Sequence, residues 1–209
     1  MTASSPSLAL LRSVSARAAD PIHLQHMKAC LDLSLGCIVS PTAFCVGSTF
    51  VLPPPPPSPS PSPSSPPAAS PSAGLLLSTG YSREPPHPTS HAESSALSKL
   101  LAFPIDALHA LLADQQPAPW PGSESWTHQD VLERCDVYTT LEPCSVRTSG
   151  EPDCARLLAR HRVKRVFVVS PRAMAKHGLL AVYTRWTGLS AEMSLDTLLT
   201  SALSTVVVL

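Results

Sequence analysis

Apolar positions along the chain fall into short runs with two different periods. Ile22, Met27, Cys30, Leu31 and Leu35 recur at helical spacing and predict a helix from Pro21 to about Leu35. Asp20 can cap it, Pro21 suits its first turn, and Gly36 can end it. Phe44 to Leu52 is apolar and β-prone, as is Gly74 to Gly80, and each reads as a strand. His91 to about Leu101 reads as a helix with Ser90 as its cap, stopped before Pro104. Ile105 to Leu112 is a short apolar helical pattern. Cys135 to Leu141 reads as a strand, and Pro152 opens a helix that carries Cys154 in its first turn and runs to about His161. Lys164 to Val169 reads as a strand, Pro171 to Gly178 as a turn or short helix, Leu195 to Leu203 as a helix, and Thr205 to Leu209 as a last strand. Strands alternating with helices predict an α/β fold, a three-layer α/β/α sandwich around a central mixed sheet of about five strands.

Composition separates a folded part from the rest. Of 209 residues, 24 are proline and only 14% are charged. Residues 53–73 hold only Pro, Ser and Ala, eleven of them proline, and offer almost nothing to bury. They lie between the first two predicted strands, so they read as an insertion at a hairpin tip, where length adds little loop entropy. The stretch 104–134 reads as a second insertion, with Trp120 and Trp126 packed locally. Residues 1–20 are Ser- and Ala-rich, with Arg12 and Arg17 and no acid before Asp20. They read as a disordered tail with a weak likeness to a mitochondrial leader. The remaining chain, 21–209, is expected to be one domain, placed in the cytoplasm, with the nucleus also open to it.

The formal net charge is zero, which argues against long nucleic acid as a partner. No apolar run reaches the roughly 18 residues of a membrane span. The six cysteines are residues 30, 37, 45, 135, 144 and 154. Without a clear secretory signal, metal binding explains two of them better than disulfides do. The other four, in apolar surroundings, are expected to be buried free thiols.

The candidate chemistry lies in His91-Ala92-Glu93 and in Pro143-Cys144 followed by Cys154. One imidazole and two thiolates give zinc three ligands and leave a tetrahedral position open, as catalytic sites do. Glu93 is placed to move protons at that position. H-x-E followed by P-C and a second cysteine is the signature of zinc deaminases of nucleobase-like rings. That signature has about two residues between its cysteines. Here nine, Ser145 to Asp153, separate Cys144 from Cys154. His87, between Pro86 and Pro88, cannot share a helix face with His91 and reads as loop. His23 and His26 read as surface or substrate-edge positions.

Thr139 to Ser145, then Ser149-Gly150 and Cys154, together with Gly80-Tyr81-Ser82-Arg83-Glu84, resemble the riboflavin-pathway pyrimidine deaminases, most of all the stand-alone fungal form. The resemblance covers about residues 21–170 outside the two insertions. It implies a cytidine-deaminase-like fold and one zinc on His91, Cys144 and Cys154, with Glu93 as the proton-transferring residue. It also implies a small-molecule substrate, a diaminopyrimidinone carrying a phosphorylated ribosyl or ribityl chain, and it allows a homodimer. A substrate-contacting loop is expected at Ser40 to Gly47, with Thr42 where the family often has asparagine. Glu142, Ser145 and Arg147 are the other candidate substrate contacts, with Arg147 suited to a phosphate. Two alternatives stay open: another deaminase of the superfamily, acting on a nucleobase, a nucleotide or tRNA adenosine, and a non-catalytic zinc-binding subunit.

Overall fold

The computed structural model describes residues 21–41, 43–55, 73–115, 120–147, 151–169 and 206–208. The N-terminal tail, most of the proline segment, Thr42 and the elements expected between 171 and 203 lie outside the described residues.

Helix α1 spans Pro21–Ser34, and strands β1 and β2 span Gly47–Leu52 and Leu75–Tyr81. Helices α2 and α3 follow at Ala92–Ala102 and Ile105–Ala113, then α4 at His128–Leu132. Strand β3 is Asp136–Thr139, helix α5 Cys154–Arg160, strand β4 Arg165–Val169 and strand β5 Val206–Val208. The five strands form one sheet in the order β2-β1-β3-β4-β5. Only β3 and β4 run parallel, so the sheet is mixed.

Alternation along the strands divides the molecule into three layers. Phe50 and Leu52 of β1, Val137 of β3 and Val166 and Val168 of β4 pack in one cluster with Leu97 and Leu100 of α2, Leu108 and Leu112 of α3, and Leu158 of α5. Thr49, Tyr138 and Phe167, one position along, belong to the opposite face and meet α1. There Cys30 Sγ lies 3.4 Å from Thr49 Oγ1, and the His23 ring stacks on Phe167 at 4.3 Å. The expected α/β/α sandwich is therefore present.

Some boundaries differ from the expectation. Strand β1 begins at Gly47 rather than Phe44, because Phe44 is 59% exposed and pairs with no strand. His26, expected at the surface, is buried, and its Nε2 donates to the Ala73 carbonyl at 2.6 Å. The stretch 104–134 does more than pack locally. Leu108, Leu112, Trp120, Val131 and Leu132 all join the main core. Each fully buried leucine there stabilises the fold by about 1.5–3 kcal/mol through apolar burial alone.

The strands flanking the proline segment pair as a hairpin whose last rung is Leu52 with Leu75. Gly74 sits at φ +83°, where a Cβ would come within 2.7 Å of the Leu52 carbonyl, so only glycine fits the turn back into β2. Both ends of the segment are tied down. Trp120 Nε1 donates to Pro53 O at 2.9 Å on one side, and His26 holds Ala73 on the other.

Candidate metal centre

Two helix starts and one strand end build the centre. Helix α2 lies very close on β2, since a Cβ at Gly80 would meet Ala92 O at 2.3 Å and Ala96 N at 2.6 Å. Ser78 Oγ of β2 donates to Ala96 O at 2.7 Å and fixes the same contact. The N-cap of α2 is His91 rather than Ser90. Its N–H donates to Ser94 Oγ at 3.2 Å, and the Ser94 hydroxyl donates back to the His91 carbonyl at 3.0 Å. This ring closes the first turn and sets His91 and Glu93 at the head of the helix.

Beyond β3, Thr140 is bonded to Gly47 through both its backbone N–H and its Oγ1, at 3.1 and 3.2 Å. That clamp aims Leu141 to Cys144 back toward α2. Helix α5 is capped by Asp153, whose Oδ1 accepts from Arg156 N at 2.8 Å, so Cys154 becomes its first residue. Ala155 N donates to Cys144 O at 3.1 Å and Cys154 N lies 3.4 Å from Cys144 Sγ, which joins the two cysteine-bearing segments across their nine-residue loop.

His91 Nδ1 lies 3.4 Å from Cys144 Sγ and 3.5 Å from Cys154 Sγ. One donor atom from each of the three residues falls within 4.8 Å of the others, and no other such group occurs among the described residues. One imidazole nitrogen and two sulfurs are a donor set suited to zinc, with a fourth position left for a non-protein ligand. Without a metal, burial, then Glu93 and Cys144, push the Cys154 thiol up, against ionisation. Burial, then the charges of Arg147 and Arg83, hold the His91 imidazole below its ordinary range, which favours the neutral form that binds a metal. Both sulfurs must lose a proton to bind a metal, so binding and proton release are coupled.

Glu93 is buried beside the three ligands, and burial pushes its carboxyl up. Thr139 Oγ1 lies 3.3 Å from Glu93 Oε1 and 3.1 Å from the Leu141 carbonyl. Thr139, at the end of β3, is a site neighbour that sequence reading passed over. Its position in a strand running straight into Pro143-Cys144 is the one signal that could have flagged it.

The other expected contacts are scattered around the centre. Glu142 and Ser145 are exposed, and Thr42 lies outside the described residues. Arg147 is half-buried; its Nη2 donates to Thr89 O at 2.8 Å and its Nη1 lies 3.5 Å from Pro152 O. It thus bridges the approaches to His91 and Cys154. Its Nε is buried with no hydrogen-bond partner among the described residues. Of the four cysteines outside the centre, Cys30, Cys37 and Cys135 are buried free thiols, and Cys45 is half-buried. Burial pushes the Cys37 thiol up to about 11, so it is not poised to ionise near neutral pH.

Comparison with known families decides what kind of centre this is. Residues 71–170 match the model of the cytidine and deoxycytidylate deaminase zinc-binding region. Residues 71–170 are thus similar to a deaminase zinc-binding region. The match begins just before β2 and ends just after β4, so it contains His91, Glu93, Cys144 and Cys154. A diaminohydroxyphosphoribosylamino-pyrimidine deaminase of Schizosaccharomyces pombe is 28% identical over 149 residues, 71% of this chain and 26% of the relative. The chain thus spans about a quarter of the length of that curated relative. Among solved structures, the Rib2 deaminase of Aspergillus oryzae is 24% identical, with 68% of this chain and 65% of that one aligned at a TM-score of 0.41. A form of the same protein in complex with DARIPP aligns at 0.42 with 67% of its chain covered. Acinetobacter baumannii RibD is 18% identical, with 93% of this chain and 38% of that one aligned at 0.35.

Proposed function

We propose that this chain is a zinc-dependent deaminase that hydrolyses the exocyclic amine of a phosphorylated 2,5-diamino-6-(ribosyl or ribityl)amino-4-pyrimidinone. The observation that carries the reaction class is the burial of Glu93 beside the convergent His91, Cys144 and Cys154 donors. The substrate class is supported by the pyrimidine deaminase named among the relatives.

His91, Cys144 and Cys154 would hold the zinc. When bound, zinc lowers the pKa of a water in its open position toward neutrality. Glu93 is the base that would move both of the water's protons in turn: the first goes to a ring nitrogen as hydroxide adds to the ring carbon, and the second passes from the added hydroxyl to the amine, so that ammonia leaves and oxygen takes its place on the ring carbon. Burial suits Glu93 to this double duty, because a carboxyl pushed up from its ordinary range is a stronger base when ionised. Thr139, within 3.3 Å, fixes the rotamer of that carboxyl. Arg147 spans the loops that carry the ligands, and its guanidinium suits an anionic part of the substrate. A second copy of the chain is a further expected partner, which light scattering of the zinc-loaded protein would reveal.

The test is ammonia release from the diaminopyrimidinone phosphate, compared with cytidine, cytosine, dCMP and a tRNA anticodon stem-loop. Turnover of the first alone is expected. Turnover of one of the other four without the first would refute the substrate class and keep the zinc deaminase. Release from none of the five would favour a binding subunit.

A further inference from the structure

Arg83 is neither a candidate metal ligand nor one of the substrate contacts expected from the sequence, yet it touches two chain segments around them. Its φ is +62°, in the left-handed region that residues bearing a side chain seldom adopt. In that conformation its backbone N–H donates to the carbonyl of Ser90 at 2.8 Å, one residue before the metal ligand His91. Its side chain turns the other way, onto the segment 38–45. There Nε donates to Ile38 O at 2.6 Å, Nη1 to Phe44 O at 3.1 Å and Nη2 to Cys45 Sγ at 3.4 Å. The neighbour, Glu84, is bonded to Ser95 and Lys99 of α2. Arg83-Glu84 therefore ties the 38–45 loop to the helix that carries His91 and Glu93.

The loop needs such a tie. Ile38, Val39 and Phe44 are 59%, 74% and 59% exposed, so core packing does not hold it. Among its described residues, Ser40 and Ala43 form an isolated bridge. It enters β1 at Gly47, which is bonded to Thr140, four residues before Cys144. Exposed apolar side chains thus stand at the end of the sheet where the metal ligands converge, on a segment whose two ends the Arg83 guanidinium spans.

We propose that Arg83 is a positioning residue, which holds the 38–45 loop so that its apolar side chains wall the site for a flat heteroaromatic ring. Only a guanidinium reaches two carbonyls and a sulfur with one rigid fork; an ammonium on the same stem keeps at most one of the three contacts at good geometry. The role concerns ground-state binding, since Arg83 bonds to no metal ligand side chain and to none of the groups that move protons.

The test compares Arg83→Lys and Arg83→Ala with the parent protein, all zinc-loaded. Losing hydrogen bonds made by a charged group, KM should rise about tenfold or more in both, with zinc content unchanged and kcat within about threefold. A lower kcat at unchanged KM, the mark of a smaller folded fraction, would overturn the proposal, as would KM within about twofold of the parent's in both variants. The kinetic arm rests on the deaminase reading. A parent protein without turnover on any substrate refutes that reading, and hydrogen exchange then decides the clamp separately. In Arg83→Lys the amides of residues 38–46 should exchange faster while those of α2 keep their protection. Equal protection of the loop in variant and parent would overturn the clamp whatever the reaction is.

Discussion

Glu93 is a carboxyl buried among metal ligands without being a ligand itself, and that separation makes its role testable. Glu93→Gln keeps the shape and the contact with Thr139 but cannot accept a proton. Zinc content should stay at one per chain while kcat falls by about 10²–10⁴-fold, the usual range for general acid–base transfer. Unchanged kcat, measured on a variant with full zinc content, would remove Glu93 from the reaction. Cys144→Ala should do the reverse and empty the site, because two protein ligands are too few for the three-ligand catalytic pattern; atomic absorption on the purified protein checks it. These four residues were legible in the sequence because the chemistry dictates residue type and spacing: soft donors for zinc, and a carboxylate two places from the histidine. Thr139 and Arg83 fall in the stretches that carry the resemblance, but a role of their own was not legible for either. A threonine at a strand end and an arginine in a loop have many ordinary uses, and only the fold brings Arg83 back onto carbonyls 39 and 45 residues earlier in the chain.

At the scale of elements, the alternating strands and helices were readable, though the cap of α2 is His91 and not Ser90, but the worth of the stretch 104–134 was not. Its apolar residues form one short helical run, Ile105 to Ala113, and are then isolated among polar residues, so periodicity alone could not tell a peripheral insert from a core layer. The fold places Leu108 and Leu112 at 0% exposure in the main core. Leu108→Ala should therefore cost about 2–5 kcal/mol in urea unfolding, as core truncations do; a loss below about 0.5 kcal/mol, ordinary for a surface change, would show that the stretch is peripheral after all. The proline segment is the opposite case. Its ends, Pro53 and Ala73, are held by Trp120 and His26, so a deletion should keep them. Removing residues 56–72 leaves a short hairpin loop closed at Gly74, and zinc content and melting temperature should match those of the full chain. The tie between the loop before α2 and the helix has a pH signature. Burial works against the charge of Glu84, but hydrogen bonds from Lys99 and Ser95 prevail and hold its carboxyl below the ordinary 4.5. A depressed carboxyl stabilises the fold above its unfolded pKa and loses that contribution as pH falls through the folded one. Because Lys99 is 46% exposed, solvent screens the pair to about 1 kcal/mol. The stability gap between parent and Glu84→Gln should thus be present at neutral pH and close as the pH drops below 4.5. A gap that persists unchanged in acid would mean that packing, not charge, holds the loop.

For the whole molecule, the metal ligands connect segments that the chain keeps far apart. His91 lies 53 residues from Cys144 and 63 from Cys154, and the three sit on α2 and on the two ends of the loop between β3 and α5. The sheet joins these segments through Gly80 under α2 and Gly47 beside Thr140, and Arg147 bridges the approaches to His91 and Cys154. Zinc, bound to the native arrangement and not to the unfolded chain, adds a cross-link at the same place. By mass action it should stabilise the fold by about 4 kcal/mol at a free zinc concentration a thousand times the dissociation constant. For a chain of this length that amounts to a rise in melting temperature of about 8–16 °C. Chelation should reverse it, and the response should vanish in Cys144→Ala, where the site is incomplete. Because the neutral thiols must ionise, loading the apo-protein should also release about two protons per zinc, which a pH-indicator titration in weak buffer would count. A melting temperature indifferent to chelation, in protein shown to hold zinc beforehand, would mean that the three ligands do not form one site in the native fold, and the deaminase reading built on that site would fall with it.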